Sequence, residues 1–199
     1  MNFLEDLLLT LGLSWRLSAI LPIFIVLLFG LILGRFLFKK LKSSILKFTL
    51  IFLSGVLPAL IYFSLFPIYQ SDITNDFRVK QRDGNLRQEA YLEVLVLPDC
   101  PHCLLSTDMI AKLHQRQLNF KIHYTIVSSD TYGGRIEGKL KTESLEYDFR
   151  KHDSSLRSLS SGSYPSFIFH QKASEKLQIW NNNTFGTMSL DYIEDRIQD

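Results

Sequence analysis

The chemistry of this chain is concentrated in Cys100-Pro101-His102-Cys103, which holds its only two cysteines directly after the apolar run Tyr91 to Leu97. Such a segment reads as a strand, a proline-containing turn and the start of a helix. The first sulfur then sits where unpaired backbone N–H groups and the helix dipole favour a thiolate, and the second lies one turn deeper, within reach of the first. That arrangement points to thiol–disulfide chemistry. A zinc site would need four ligands, commonly two such pairs; one pair exists, and His114, His123, His152 and His170 are scattered, so no metal is expected. A purely structural disulfide closing so small a loop would stabilise little.

Within the motif each residue has an expected part. Cys100, at the exposed helix start, is the nucleophile, and Cys103, one turn in, is the shielded partner that resolves a mixed disulfide. Pro101 suits the first helical position, where its fixed φ is right and its missing N–H is not needed. His102, if protonated, adds positive charge beside Cys100, which stabilises the thiolate and makes the disulfide a better oxidant. Asp99 works against this.

The elements that must position these residues follow from hydrophobic periodicity. The continuous apolar run Tyr91 to Leu97 is a strand covered on both faces. Leu105, Met109, Ile110 and Leu113 recur at helical spacing to about Gln117, and Phe120 to Ile126 alternate as a second strand with a polar face, which suits a sheet edge. The turn-rich stretch Ser128 to Lys139 is expected to be a loop; its Gly133-Gly134-Arg135 reads as a flexible turn and lacks the lysine of a phosphate loop. Leu145, Phe149, His152, Leu156 and Leu159 lie on one helical face and predict a second helix with His152 in the core, whereas His114 and His123 are expected in solvent. A third strand from Tyr164-Pro165 to His170, a turn, a fourth strand Lys176 to Trp180 and a last helix from about Ser189 complete the order βαβαββα.

On this element order, Cys-Pro-His-Cys at the first helix and Tyr-Pro opening the third strand, residues 88 to 197 resemble the thioredoxin superfamily. The four-residue motif is similar to that of exported thiol oxidants of the DsbA type. The resemblance implies an α/β thioredoxin-like fold, a mixed central sheet with helices on both faces, and a redox-active disulfide between Cys100 and Cys103 that needs no other cofactor. It also implies that Pro165 is cis and faces the active site, with Tyr164 offering backbone hydrogen bonds to a bound peptide. The chain departs from the family in two places. The acid often found beneath the disulfide is matched only by Glu93, seven residues before Cys100, and the aromatic that often precedes the first cysteine is replaced by Pro98-Asp99.

The first third of the chain carries a different signal. Phe48 to Tyr69 is an uncharged run of 22 residues, and Leu17 to Gly34 one of 18 ending at Arg35, each suited to cross a hydrocarbon core of about 30 Å. Transmembrane helices are therefore expected over about 17–38 and 48–69, forming a hairpin anchor in residues 1–71, followed by a linker at 72–89 and the thioredoxin-like domain at 90–199. Met1 to Leu13 either lie along the membrane surface or extend the first span; Trp15, Tyr62 and Tyr69 are expected interface anchors. A cleaved signal peptide fits less well, given the acidic N-terminus, the missing small-x-small pattern and the second span.

Arg35, Lys39, Lys40, Lys42 and Lys47 lie between or beside the spans, whereas the outer flanks carry Glu5, Asp6 and Arg16 on one side and Asp72 and Asp76 on the other. Positive charge marks the cytoplasmic loop, so both chain ends are expected on the exported side of a bacterial inner membrane. Residues 1–71 hold six basic and two acidic groups and 72–199 sixteen and eighteen, so the overall +2 divides into +4 and −2. The domain lacks a basic stripe, which argues against a nucleic-acid partner. The expected function is a membrane-tethered thiol–disulfide oxidoreductase acting on exported cysteine-containing proteins, oxidising in direction and regenerated by an unidentified redox partner. The alternatives are a reductase or isomerase, for example in cytochrome maturation, and a non-catalytic redox-responsive interaction module.

Overall fold

The computed structural model describes residues 3–39, 43–81, 89–129 and 131–198. The chain divides into two compact units, Met1–Ile73 and Thr74–Asp199. The N-terminal unit holds α1 (Phe3–Thr10), α2 (Trp15–Leu37) and α3 (Ser44–Leu65). Ser14 and Ser43 cap α2 and α3, each accepting a hydrogen bond from the backbone N–H three residues on. At 1.5 Å per residue, 23 and 22 residues span roughly 33–35 Å, enough to cross a membrane. Gly12, at φ +87°, ends the turn after α1, and Leu8, Leu9 and Trp15 are buried. Trp15, expected as an interface anchor, is thus an internal packing residue of this unit.

Small residues set the approach of α2 to α3. A Cβ on Gly30 would stand 2.3 Å from the Ser54 carbonyl oxygen, and one on Gly34 would stand 1.8 Å from Ser54 Oγ. Gly30 and Gly34 form a G-x-x-x-G pair, the spacing that lets two helix backbones meet closely where lipid supplies no hydrophobic driving force between them. Phe29, Ile32, Phe36 and Phe48 point outward and are exposed, apolar surface of the kind lipid covers. The unit is compatible with a membrane anchor.

The second unit is built on a six-stranded sheet. In chain order it contains β1 (Arg78–Gln81), β2 (Tyr91–Val96), α4 (Pro101–Arg116), β3 (Lys121–Val127), α5 (Gly134–Thr142), β4 (Glu146–Arg150), α6 (Ser154–Ser160), β5 (Ser166–His170), β6 (Lys176–Asn181) and α7 (Thr187–Gln198). The strand order is β1-β6-β5-β2-β3-β4. β2 runs parallel to β3 and β3 to β4, while β5 is antiparallel to both β2 and β6, and β1 is antiparallel to β6. As its unbroken apolar run requires, β2 is central, with Leu92, Val94, Leu95 and Val96 wholly buried.

Five expectations are corrected. Residues 145–150 do not begin the second helix: Glu146–Arg150 is a strand, and only Ser154–Ser160 is helical in that stretch. Tyr147 and Phe149 alternate with more exposed neighbours, and the free side of β3 offers backbone partners that a helix there could not use. β3 is therefore an inner strand, not an edge. His152, no longer on a helical stripe, is exposed. Finally, Gly134–Thr142 is a helix within the stretch read as a loop, because Ile136 and Leu140 bury completely. Arg78–Gln81, in the segment read as a linker, adds β1 to the sheet.

Helices lie on both faces. α6 covers one, with Leu156 packed among Leu95, Val127, Ile168 and Ile179. α7 and α5 meet the other, through Gln178 Nε2 donating to Tyr192 Oη at 2.7 Å and Tyr147 Oη donating to Glu137 Oε1 at 3.0 Å. α4 joins them: Arg116 donates twice to the buried Glu194 of α7, at 2.8 and 3.0 Å.

Candidate active site

The site is assembled where β2 ends. A tight turn, with Cys100 N donating to Leu97 O at 3.4 Å, brings Cys100 to the N-cap of α4 and Pro101 to the first helical position. Cys100 and Cys103 are joined as a disulfide, their Cα atoms 5.2 Å apart. The two sulfurs differ in access: Cys100 is half-buried, whereas Cys103 has no exposed surface. Cys103 N donates to Cys100 Sγ at 3.2 Å, so the helix start already aims an N–H at the sulfur on which negative charge would develop. Ser106 and Thr107 donate to the Cys103 carbonyl at 3.0 and 2.9 Å, tying the first turn together. Pro101 and His102 are exposed beside the disulfide.

A second segment forms the facing wall. The Tyr164–Pro165 peptide is cis, and the Tyr164 carbonyl oxygen lies 3.9 Å from Cys100 Sγ. Tyr164 packs its ring on the core cluster containing Leu95 and Ile168, and Ser166 Oγ donates to Ser163 O at 2.6 Å just before β5. The β3-β2-β5-β6 order, with a disulfide at the first helix start and a cis proline entering β5, decides the architecture. This is a thioredoxin-like fold.

No family model and no curated protein matches the chain. Among solved structures, the thioredoxin-like domain is similar to a secreted Mycobacterium tuberculosis disulfide oxidoreductase homologous to E. coli DsbE, at 17% identity over 57% of this chain and 83% of that one, with a TM-score of 0.43. A DsbF homologue from Corynebacterium diphtheriae matches at 9% identity over 55% and 73%, TM-score 0.44. A thiol:disulfide interchange protein of the thioredoxin family from Chlorobium tepidum matches at 14% over 55% and 81%, TM-score 0.39. The fold assignment stands on the strand order and on the positions of the cysteines and the proline.

Glu93 does not lie beneath the disulfide of this domain. It shares a sheet face with Tyr91 and Leu95, where α6 packs, and engages His170 Nε2 at 3.2 Å and the Thr125 hydroxyl at 3.3 Å. Burial by itself raises the Glu93 carboxyl pKa, but hydrogen bonds from His170 and Thr125, with the charges of His170 and Arg150, outweigh it and hold the group below the ordinary 4.5. A folded pKa below the unfolded one contributes stability that is present above about pH 4.5 and is lost as the pH falls through the folded value. Glu93→Gln is therefore expected to be less stable than the wild type near neutrality, with a gap that closes on acidification. Chemical denaturation of the full chain at several pH values measures this; a gap that stays constant with pH would mean that Glu93 acts through packing alone.

Other side chains named from the sequence are not at the disulfide. His123, partly exposed, faces Asp148 at 3.5 Å across β3 and β4. With Tyr91, Glu93 and Lys121 these two line an open groove of about 680 Å³ to which neither α4 nor the Tyr164–Pro165 loop contributes. Among the described residues, no group of three or more His, Cys, Asp or Glu is placed to hold a metal ion. Sequence reasoning missed the contact of Gly134 and Arg135 with Asp99. Arg135 N donates to Asp99 Oδ1 at 3.2 Å, and Ile136 N donates to Pro98 O at 3.1 Å. The paired glycines were the only local signal for that close approach.

Proposed function

We propose that this protein is a membrane-tethered thiol–disulfide oxidoreductase that oxidises cysteine pairs of exported proteins. The observation that carries the reading is the asymmetry of the disulfide: an accessible Cys100 at a helix start, facing a cis-proline loop, is bonded to a Cys103 with no exposed surface. A substrate thiolate attacks Cys100 Sγ; a substrate–Cys100 bond forms, the Cys100–Cys103 bond breaks, and Cys103 leaves with the electron pair as a thiolate. A second substrate thiolate then attacks the substrate sulfur of the mixed disulfide, and Cys100 departs as a thiolate. The substrate has lost two electrons and the protein has gained them. An external redox partner must take them up to restore the disulfide.

Tyr164 would hold an extended substrate segment through its backbone, and Pro165 would keep that edge clear of a competing N–H. Exposed His102 and the N–H directed from Cys103 favour the reduced thiolate, which supports the oxidising direction. Two apolar helices with Arg35, Lys39, Lys40, Lys42 and Lys47 between or beside them support an anchor in a bacterial inner membrane, with the thioredoxin-like domain on the extracytoplasmic side.

Equilibration of the full-length chain in detergent with glutathione mixtures tests the direction. A potential above about −200 mV, with catalytic oxidation of a reduced peptide, is expected of an oxidant; a value near about −270 mV, that of thioredoxin, overturns the oxidising direction in favour of a reductase. A disulfide that equilibrates but turns over no substrate would leave a redox-responsive interaction module instead.

A further inference from the structure

We infer, on the basis of the dithiol-exchange function proposed above, that the first turn of α5 is a positioning element which binds the Asp99 carboxylate away from Cys100 and thereby keeps the Cys100 sulfur reactive. Asp99 is the covalent neighbour of Cys100, and a carboxylate at that distance disfavours a thiolate. In this fold the carboxylate is already engaged. Its Oδ1 accepts from Arg135 N at 3.2 Å and lies 3.7 Å from Arg135 Nε, while Arg135 Nη2 donates to the Asp99 carbonyl at 3.4 Å. Asp99 is thus held by the backbone and by the charge at the start of a nine-residue helix, and the N–H of Cys103 remains directed at Cys100 Sγ.

The approach needs a glycine. Gly134 has φ +55°, and a Cβ there would stand 2.7 Å from Asp99 Oδ1 and 2.9 Å from Pro98 O. Further along α5, Lys139 Nζ donates to Leu104 O at 2.9 Å and pairs with Asp108 at 2.6 Å, fastening the helix along α4. Three consecutive residues and a lysine one turn on therefore act on a single object, the turn and first helical residues that carry the nucleophile. From this helix only Ile136 and Leu140 are buried in the core, and Arg135 is exposed beside Asp99.

The test is a double-variant cycle on the full-length chain in detergent, in a Cys103→Ser background so that Cys100 is the single thiol. Its rate of alkylation by iodoacetamide is followed across pH. Arg135→Ala is expected to slow alkylation roughly threefold at a pH below the thiol midpoint, the scale of an exposed ion pair. In an Asp99→Asn background the same change is expected to have little effect, because no carboxylate remains to be held. Arg135→Lys should retain most of the wild-type rate, and Arg135→Gln, which keeps more of the side chain's packing, should behave as Arg135→Ala. An equal loss in both backgrounds, or no loss in either, overturns the inference, since Arg135 would then act on Cys100 directly or not at all. Alkylation requires no turnover, so failure of the exchange reading would appear in the peptide-oxidation assay while leaving the cycle intact.

Discussion

Cys103→Ser is expected to turn a catalyst into a trap. In this variant Cys100 is a lone thiol that enters mixed disulfides by attacking an oxidised substrate, the reverse of the exchange above. The substrate thiolate freed in that attack can only undo it, and release by a positioned Cys103 sulfur, a step worth on the order of a hundredfold or more, is lost. Adducts to exported proteins should accumulate and be visible by non-reducing electrophoresis. Cys100→Ser should yield none and should abolish turnover, because Cys103, wholly buried under the first turn of α4, is closed to substrate. Equal trapping through either cysteine would contradict the division of roles, and the absence of adducts from Cys103→Ser in cells would remove the proposed function. Intermediate behaviour is informative too: adducts that form and then clear would indicate that the redox partner also resolves the complex.

The second large effect is structural. Trp180 of β6 has no exposed surface, its Nε1 donates to Asn75 Oδ1 at 2.8 Å, and its ring meets Phe77, Phe185 and Tyr192 with centroids 5.4, 6.1 and 6.1 Å away. Trp180→Ala removes a large aromatic from a packed site and should cost about 4 kcal/mol, a large share of the 5–15 kcal/mol that typically holds a domain together. Trp180→Phe keeps most of the buried area and loses the hydrogen bond, at about 1–2 kcal/mol. Hydrogen exchange at the amides of β2 and β5 in the full-length chain measures both; the alanine variant should lose most of their protection and the phenylalanine variant little of it. Unchanged protection in the alanine variant would mean that the Asn75–Phe77 segment packs without the tryptophan.

That segment shows where sequence reading stops. Residues 72–89 carry many charges and read as a linker, yet Asn75 and Phe77 bind Trp180 and Arg78–Gln81 extends the sheet. Nothing local distinguishes a charged strand at a sheet edge from a charged connector. The Leu145 to Leu159 stretch failed for the complementary reason. Its apolar residues fit helical spacing, while Tyr147 and Phe149 equally fit a strand, and the choice was made by β3, whose open side needed a partner. Short segments with two admissible periods are resolved only by what lies beside them.

By itself, the sequence determined the parts whose signal is local: the buried run that becomes β2, the turn and helix start that carry Cys100 and Cys103, and two uncharged runs long enough to cross a membrane. Their physics acts within a few residues, through burial, helix geometry and the cost of moving charge into lipid. Tertiary structure alone decided which groups meet across the fold. It placed the Tyr164 carbonyl beside Cys100, turned Glu93 toward His170 instead of the disulfide, and brought Arg135 onto Asp99. It also set Gly30 and Gly34 against Ser54. Each of these depends on strand order, on sheet face or on the approach of two backbones, and those are properties of pairings between distant segments that no local pattern encodes.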